Sequence, residues 1–274
     1  MSTTTPSTEA SVLWRQDGDI AVVTLNRPQA LNSLDPQMHE DLRAALDAIE
    51  AKAEIRALVL TGAGRGFCAG ADLSSFDFTP GDDMVARADP GPVIERLFNP
   101  TMRRLTALRM PTICAVNGVA AGAGASLVMA CDIAIAASNA SFIQAFSKIG
   151  LIPDAGSSWL LPHRVGLARA LALAMTGNKV SAQEAKEMGM IWEVVDGDGA
   201  VALAQAEAMA HQLAQMPTRA LVETRHLIRQ AAHRDFDSQL DAERDMQSAL
   251  GKTHDYFEGV KAFLDKRAPQ FKGE

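Results

Sequence analysis

Two stretches of small residues, Gly66-Phe67-Cys68-Ala69-Gly70-Ala71-Asp72 and Asn117-Gly118-Val119-Ala120-Ala121-Gly122-Ala123-Gly124, each follow an apolar, strand-like run. Small residues at strand ends let main chain approach main chain, so they call for a core in which strands and helices pack closely. They also leave N–H groups uncovered at turns or helix starts, where partial positive charge points outward. Taken singly, either turn is explained by packing alone. Two such turns serving one ligand oxygen would form a two-donor oxyanion hole, and that implies an enzyme.

The 274 residues suffice for one large α/β domain or two small ones, and a hydrophobic content of 47% can fill a sizeable core. A formal net charge of −7 and the absence of a long Lys/Arg run exclude nucleic acid as the main partner. Cys68, Cys114 and Cys131 are odd in number and show no CxxC spacing. Reduced thiols are the expectation. With no basic-then-apolar leader at the start, this points to a cytoplasmic protein. Residues 1–10 hold a Ser/Thr tract expected to be a disordered tail. The run from Met110 to Ala137 is almost uncharged, but Asn117, several glycines and Asp132 interrupt it. Strand, turn, helix and strand fit it better than a membrane span.

β-Branched and apolar runs predict strands at Ser11 to Gln16, Ile20 to Asn26, Ile55 to Thr61, Thr112 to Asn117 and Asp132 to Ala136. Between them, Pro36 to Lys52 carries Met38, Leu42, Ala45, Leu46 and Ile49 on one helical stripe, with Asp35 placed as N-cap. Alternating strands and helices imply a sheet closed by crossovers. Phe76 to Pro92 reads as a polar mobile loop. Beyond Gly156 the strand signal fades except at Met190 to Val195, and helices are expected at Ala200 to Gln215, Thr218 to Ala232, Phe236 to Leu250 and Thr253 to Arg267. Residues 11–200 thus form the expected core and 201–274 a helical region.

Other catalytic signatures are missing. The chain has no GxSxG elbow, no HExxH and no GxxxxGK[ST], and its six histidines lack metal-ligand spacing, so no metal is expected. Gly122-Ala123-Gly124 would open a GxGxxG fingerprint, but Leu127 stands where the third glycine belongs.

Four strings in order carry a family resemblance: Leu25-Asn26-Arg27-Pro28-Gln29-Ala30-Leu31-Asn32-Ser33-Leu34; Cys68-Ala69-Gly70-Ala71-Asp72-Leu73; Asn117 to Gly124 with Cys131-Asp132; and Gly150-Leu151-Ile152-Pro153-Asp154-Ala155-Gly156. From Ile20 to its end the chain resembles the crotonase, or enoyl-CoA hydratase/isomerase, superfamily. The resemblance implies a twisted βαβ spiral core with a C-terminal helical trimerisation region, a homotrimer or a dimer of trimers, and acyl-CoA thioester substrates. No separate cofactor is implied, because CoA is part of the substrate. The Ala71 and Ala123 amides would hold the thioester oxygen. Arg27, Ala30, Ala69, Gly70, Asp72 and Leu73 would line CoA, and Phe263 and Lys266 would reach the CoA phosphates of a neighbouring subunit. Plainer readings are that Arg27 pairs with Asp41 or Glu40 and that Lys266 is a solvated helix-end charge.

Hydratases of that family use two glutamates, and the matching positions here are Ser126 and Phe146. Neither can activate water as a carboxylate does. A carboxylate stands instead at Asp154, where isomerase-like and dehalogenase-like branches carry their acid. Without the resemblance Asp154 reads as a helix N-cap. With it, the residue is the proton carrier, raised in pKa by apolar Phe142, Phe146, Ile149, Leu151 and Trp159. The strings Phe146 to Asp154, Trp159 to Pro162, Gly189 to Trp192 and Ala268 to Phe271 resemble the branch that isomerises ring-1,2-epoxyphenylacetyl-CoA to oxepin-CoA and shifts 3-enoyl-CoA double bonds to the 2-position. Two alternatives stand beside it: a hydratase using Asp154 and a water held by Ser126, and a non-catalytic acyl-CoA-binding relative.

Overall fold

A computed structural model describes residues 10–274. The expected tail at 1–10 lies outside the described residues except for Ala10. A hairpin opens the fold, with β1 (Val12–Asp17) pairing antiparallel to β2 (Ile20–Leu25). Next comes α1 (Pro36–Glu50), whose N-cap Asp35 accepts from the Met38 N–H at 2.8 Å and whose stripe of Met38, Leu42, Leu46 and Ile49 is buried. The chain continues through β3 (Ala57–Gly62), β4 (Gly66–Cys68), two single helical turns α2 (Met84–Arg87) and α3 (Pro90–Val93), a π-turn at Ile94–Phe98, and α4 (Asn99–Thr106). It then passes through β5 (Thr112–Val116), β6 (Val119–Ala121), α5 (Ala123–Ala130), β7 (Ile133–Ala137) and β8 (Ser141–Ile143). The third part comprises α6 (Ser157–Val165), α7 (Leu167–Thr176), β9 (Lys179–Ser181), α8 (Ala182–Glu187) and β10 (Glu193–Val195). Four helices close the chain: α9 (Gly199–Ala214), α10 (Thr218–Ala231), α11 (Phe236–Leu250) and α12 (His254–Leu264).

The strands form two sheets, ordered β1-β2-β3-β5-β7-β10 and β4-β6-β8-β9. From β3 to β8 the chain places strands alternately in one sheet and the other, and this alternation is the expected spiral. Past the hairpin every pairing in the larger sheet is parallel, as are β4 to β6 and β6 to β8. Side chains alternate as a pleated strand requires. In β2, Ala21, Val23 and Leu25 face the main core, while Ile20 and Val22 face a second cluster. That second cluster is roofed by Ala206, Ala210 and Ala214 of α9, spaced four apart so that the helix lies close against the sheet. Among the described residues no helix is long and apolar enough to cross a membrane.

Three expectations are corrected. The segment 76–92, expected as a polar mobile loop, contains the helical turn α2 and the start of α3, and Arg87 of α2 binds Asp77 and Asp83. A strand, β9, occurs where none was expected, and the glycine-rich turns themselves contain β4 and β6.

Candidate active site

The two small-residue turns meet. Parallel pairing of β4 with β6 sets Gly66 beside Val119 and Cys68 beside Ala120, so both chains leave the sheet at the same end. A Cβ on Gly70 (φ +94°) would stand 2.8 Å from the Ala121 carbonyl oxygen and 3.4 Å from the Ala123 nitrogen, and one on Gly124 would stand 2.1 Å from the Cys68 carbonyl oxygen. Only glycine fits either place. Ala123 is the first residue of α5, so its N–H has no acceptor within the helix. On the other turn, the Leu34 N–H donates to Gly70 at 2.7 Å and the Asp72 N–H to the Leu34 carbonyl at 3.0 Å. In such a parallel bridge the intervening Ala71 N–H faces the opposite side.

A brace holds the first turn. Asn32, fully buried with φ +56°, donates from its side-chain amide to the carbonyls of Ala63 (2.9 Å), Gly66 (2.8 Å) and Phe67 (3.1 Å) and accepts the Arg27 N–H at 2.8 Å. Asn117 holds the second turn in the same way, donating to Gly64 at 2.9 Å and Gly66 at 3.1 Å. Both asparagines stand in the family strings, yet their role was not foreseen. The only signal available was an amide side chain amid small residues.

The partners expected for Arg27 are corrected. Its guanidinium binds Asp72 at 2.8 Å and Asp35 at 3.2 Å, while Asp41 takes Ser11 and Gln37 instead. The chain turns back at Leu31 and Asn32, both left-handed, and this brings Asp35 and Asp72 to Arg27. Burial would raise the Asp72 carboxyl, but the Ser74 hydroxyl and Arg27 outweigh it and hold the group below its ordinary range.

Asp154 is not a cap. The helix after it is capped by Gly156, with the Ser157 N–H donating to the Asp154 carbonyl at 2.8 Å. Ala155 (φ +48°) and Gly156 (φ +77°) are both left-handed, a conformation that costs a non-glycine residue about 1 kcal/mol. The Asp154 Oδ1 is buried without a hydrogen-bond partner. Burial pushes its carboxyl up to about 6, with its own N–H pulling slightly the other way. The Ser126 hydroxyl, fully buried on α5, approaches the Asp154 and Gly122 carbonyls at 3.4 Å each. Buried Phe146 places its ring 3.7 Å from where a Cβ on Gly122 would stand. Asp154, both positions without glutamate and the second turn therefore form one cluster. Of the apolar residues expected around Asp154, Phe142 and Phe146 are buried, but Ile149 (53%), Leu151 (41%) and Trp159 (37%) reach the surface. Ile149 and Leu151 flank the left-handed Gly150, and Trp159 lies on α6.

Of the remaining predicted residues, Ala30 and Ala69 are half-buried and Leu73 is exposed. Phe263 (83% exposed) and Lys266, at the end of α12, are not brought to this cluster within the chain. Phe263 instead lines a hollow with Pro217, Leu250 and Phe271.

A fold that spirals between two sheets and a pair of touching turns with outward amides define the class. The family model described as Enoyl-CoA hydratase/isomerase matches residues 15–274, and the chain belongs to that family. It is similar to the 1,2-epoxyphenylacetyl-CoA isomerase of Escherichia coli (strain K12), 49% identical over 263 residues that cover 96% of this chain and 98% of that protein. It is also similar to a "probable enoyl-CoA hydratase" of Rhodobacter capsulatus, 42% identical over 255 residues, covering 93% and 95%. Among solved structures, the enoyl-CoA hydratase of Bacillus anthracis superposes with a TM-score of 0.86 at 33% identity, covering 96% of this chain and 100% of that one.

Proposed function

We propose that the protein is an acyl-CoA isomerase in which Asp154 carries the proton. The observation that bears most weight is the half-buried Asp154 carboxylate, its Oδ1 buried without a partner and its pKa raised to about 6, with Ser126 and Phe146 at the places where hydratases hold glutamates. A base of that strength is half-ionised near pH 6, which suits it both to take and to return a proton. It takes the proton from the carbon beside the thioester. Charge then gathers on the thioester oxygen, where the Ala71 and Ala123 N–H groups stabilise it. Losing one such donor typically costs about 3–4 kcal/mol of barrier.

For a 3-enoyl-CoA the electron pair moves the double bond to the 2-position and the proton returns at the far carbon. For ring-1,2-epoxyphenylacetyl-CoA the carbon–carbon bond shared by epoxide and ring breaks to give the seven-membered oxepin, the pair left beside the thioester forms a double bond to the ring as the ring double bonds shift, and the proton returns to a ring carbon. No atom is gained or lost in either reaction. Likeness to the Escherichia coli isomerase favours the epoxide. The hydratase reading needs Ser126 to hold water, yet that hydroxyl is fully buried.

CoA would run along Arg27 to Ala30 and Ala69 to Leu73, with Phe263 and Lys266 supplied by a neighbouring copy in a homotrimer or dimer of trimers. Because Arg27 is shared by two carboxylates, its part is to hold the Asp72 turn in shape rather than to offer a free charge. Incubation with a panel of acyl-CoAs in D₂O tests the reading. Deuterium should enter at the carbon beside the thioester and be abolished in Asp154→Asn. Fast hydration of crotonyl-CoA without isomerisation, or full activity in that variant, refutes it.

A further inference from the structure

A cavity of about 560 Å³ opens between α6, α9, α10 and the start of β7, away from the catalytic carboxylate. Its size falls within the range of small-molecule sites. Arg164, Arg225 and Arg229 all line it, and one carboxylate, Asp132, answers them. Arg225 binds Asp132 at 3.1 Å and the Met110 carbonyl at 3.2 Å, and Arg229 binds Asp132 at 3.0 Å and the Ala130 carbonyl at 2.8 Å. Arg164 reaches only carbonyls, those of Met129 at 2.6 Å and Cys131 at 2.7 Å. Three guanidiniums against one carboxylate leave positive charge in excess. Arg225 is 8% exposed, and its Nε is buried with no partner at all. Burial and the neighbouring guanidiniums both disfavour the charge on Arg164 and Arg229. An anion in the cavity would relieve this repulsion.

Apart from His163 and Thr224 the remaining wall is apolar and includes Trp159, Leu160, Val222 and Ile228. Trp159 is fixed by stacking on His163, with ring centroids 4.3 Å apart. Planar guanidinium forks match a carboxylate better than a point charge does, and the apolar wall calls for a hydrocarbon body behind it. We propose that this cavity binds an organic acid, its carboxylate against Arg225 and Arg229 and its apolar body against Trp159 and Ile228.

Isothermal titration of the intact protein, at constant ionic strength, with sodium benzoate, phosphate and benzyl alcohol tests it. Benzoate should bind saturably with one site per chain. Phosphate lacks the body and benzyl alcohol the charge, so each should bind at least about tenfold more weakly. Arg229→Gln should weaken benzoate about ten- to a hundredfold. Ile228→Asn, at a position 69% exposed and outside the Asp132 network, should weaken it severalfold while thermal unfolding stays unchanged. Asp154→Asn should bind benzoate like the parent. The proposal is overturned if benzoate does not bind, if phosphate binds as tightly, or if neither cavity variant alters binding. It is overturned equally if Asp154→Asn abolishes binding, which would put benzoate in the catalytic cluster. A change in the mass of the assembly in Arg229→Gln with benzoate affinity intact assigns the cavity to a second copy and also overturns it.

Discussion

At the scale of residues, the proposed proton transfer, as against water addition, rests on the position of one carboxyl group, that of Asp154. Asp154 binds its proton more tightly in the fold than in the unfolded chain, since its pKa rises from 3.8 to about 6. As a base it must be ionised, so kcat/KM for isomerisation should fall about tenfold per unit below pH 6 and level off above it. A pH–rate profile flat from pH 5 to 8 would refute that role. Stability runs the other way. The contribution of the neutral form is complete below 3.8 and is lost as pH rises through about 6. Asp154→Asn should therefore melt higher than the parent at pH 8 and level with it near pH 3.5. Burial also pushes two of the thiols up, Cys68 to about 12 against a weaker pull from the Gly70 N–H, and Cys114 well above its ordinary value.

At the scale of elements, the segment from Arg27 to Leu34 acts as a clamp on the first turn. Asn32→Ala takes a donor from the Ala63 and Phe67 carbonyls, leaves the Gly66 carbonyl to Asn117 alone, and puts alanine at φ +56°. We expect a loss of about 2–4 kcal/mol, read as a fall in Tm of roughly 5–10 °C. An unchanged melt would show that the carbonyls find other partners. This clamp also shows where sequence reasoning runs out. α1 was legible because a capping Asp35, Pro36 and a stripe of five apolar residues agree over four turns. Strands β1, β2, β3, β5 and β7 were legible as long apolar runs. By contrast β4, β6, β8 and β9 have three residues each, too few to show a period of two, and exist because distant chain lies alongside them. Likewise the two turns and Asp154 could be found as strings, whereas the ion pairs of Arg27 depend on a left-handed reversal at Leu31 and Asn32 that no local pattern announces.

At the scale of the whole molecule, the C-terminal helices carry apolar surface that a lone chain does not cover. Phe236 (76%), Phe257 (64%), Phe263 (83%) and Leu264 (71%) are exposed on α11 and α12. Large apolar patches of this kind mark association surfaces. Sedimentation velocity should give the mass of a homotrimer or a dimer of trimers, and Phe263→Asp should shift the population toward smaller species. A monomer at micromolar concentration would refute that assembly.

The amides of Ala71 and Ala123 belong to the main chain, and their setting depends on two glycines meeting carbonyl oxygens. Exchange of either alanine for another residue leaves the N–H in place; only proline removes it. The proposed oxyanion hole is thus largely insulated from side-chain variation and can be inherited unaltered. The nearby positions of Ser126, Phe146 and Asp154 remain free to change, so new chemistry in such a scaffold requires the exchange of a carboxylate and not the rebuilding of a site.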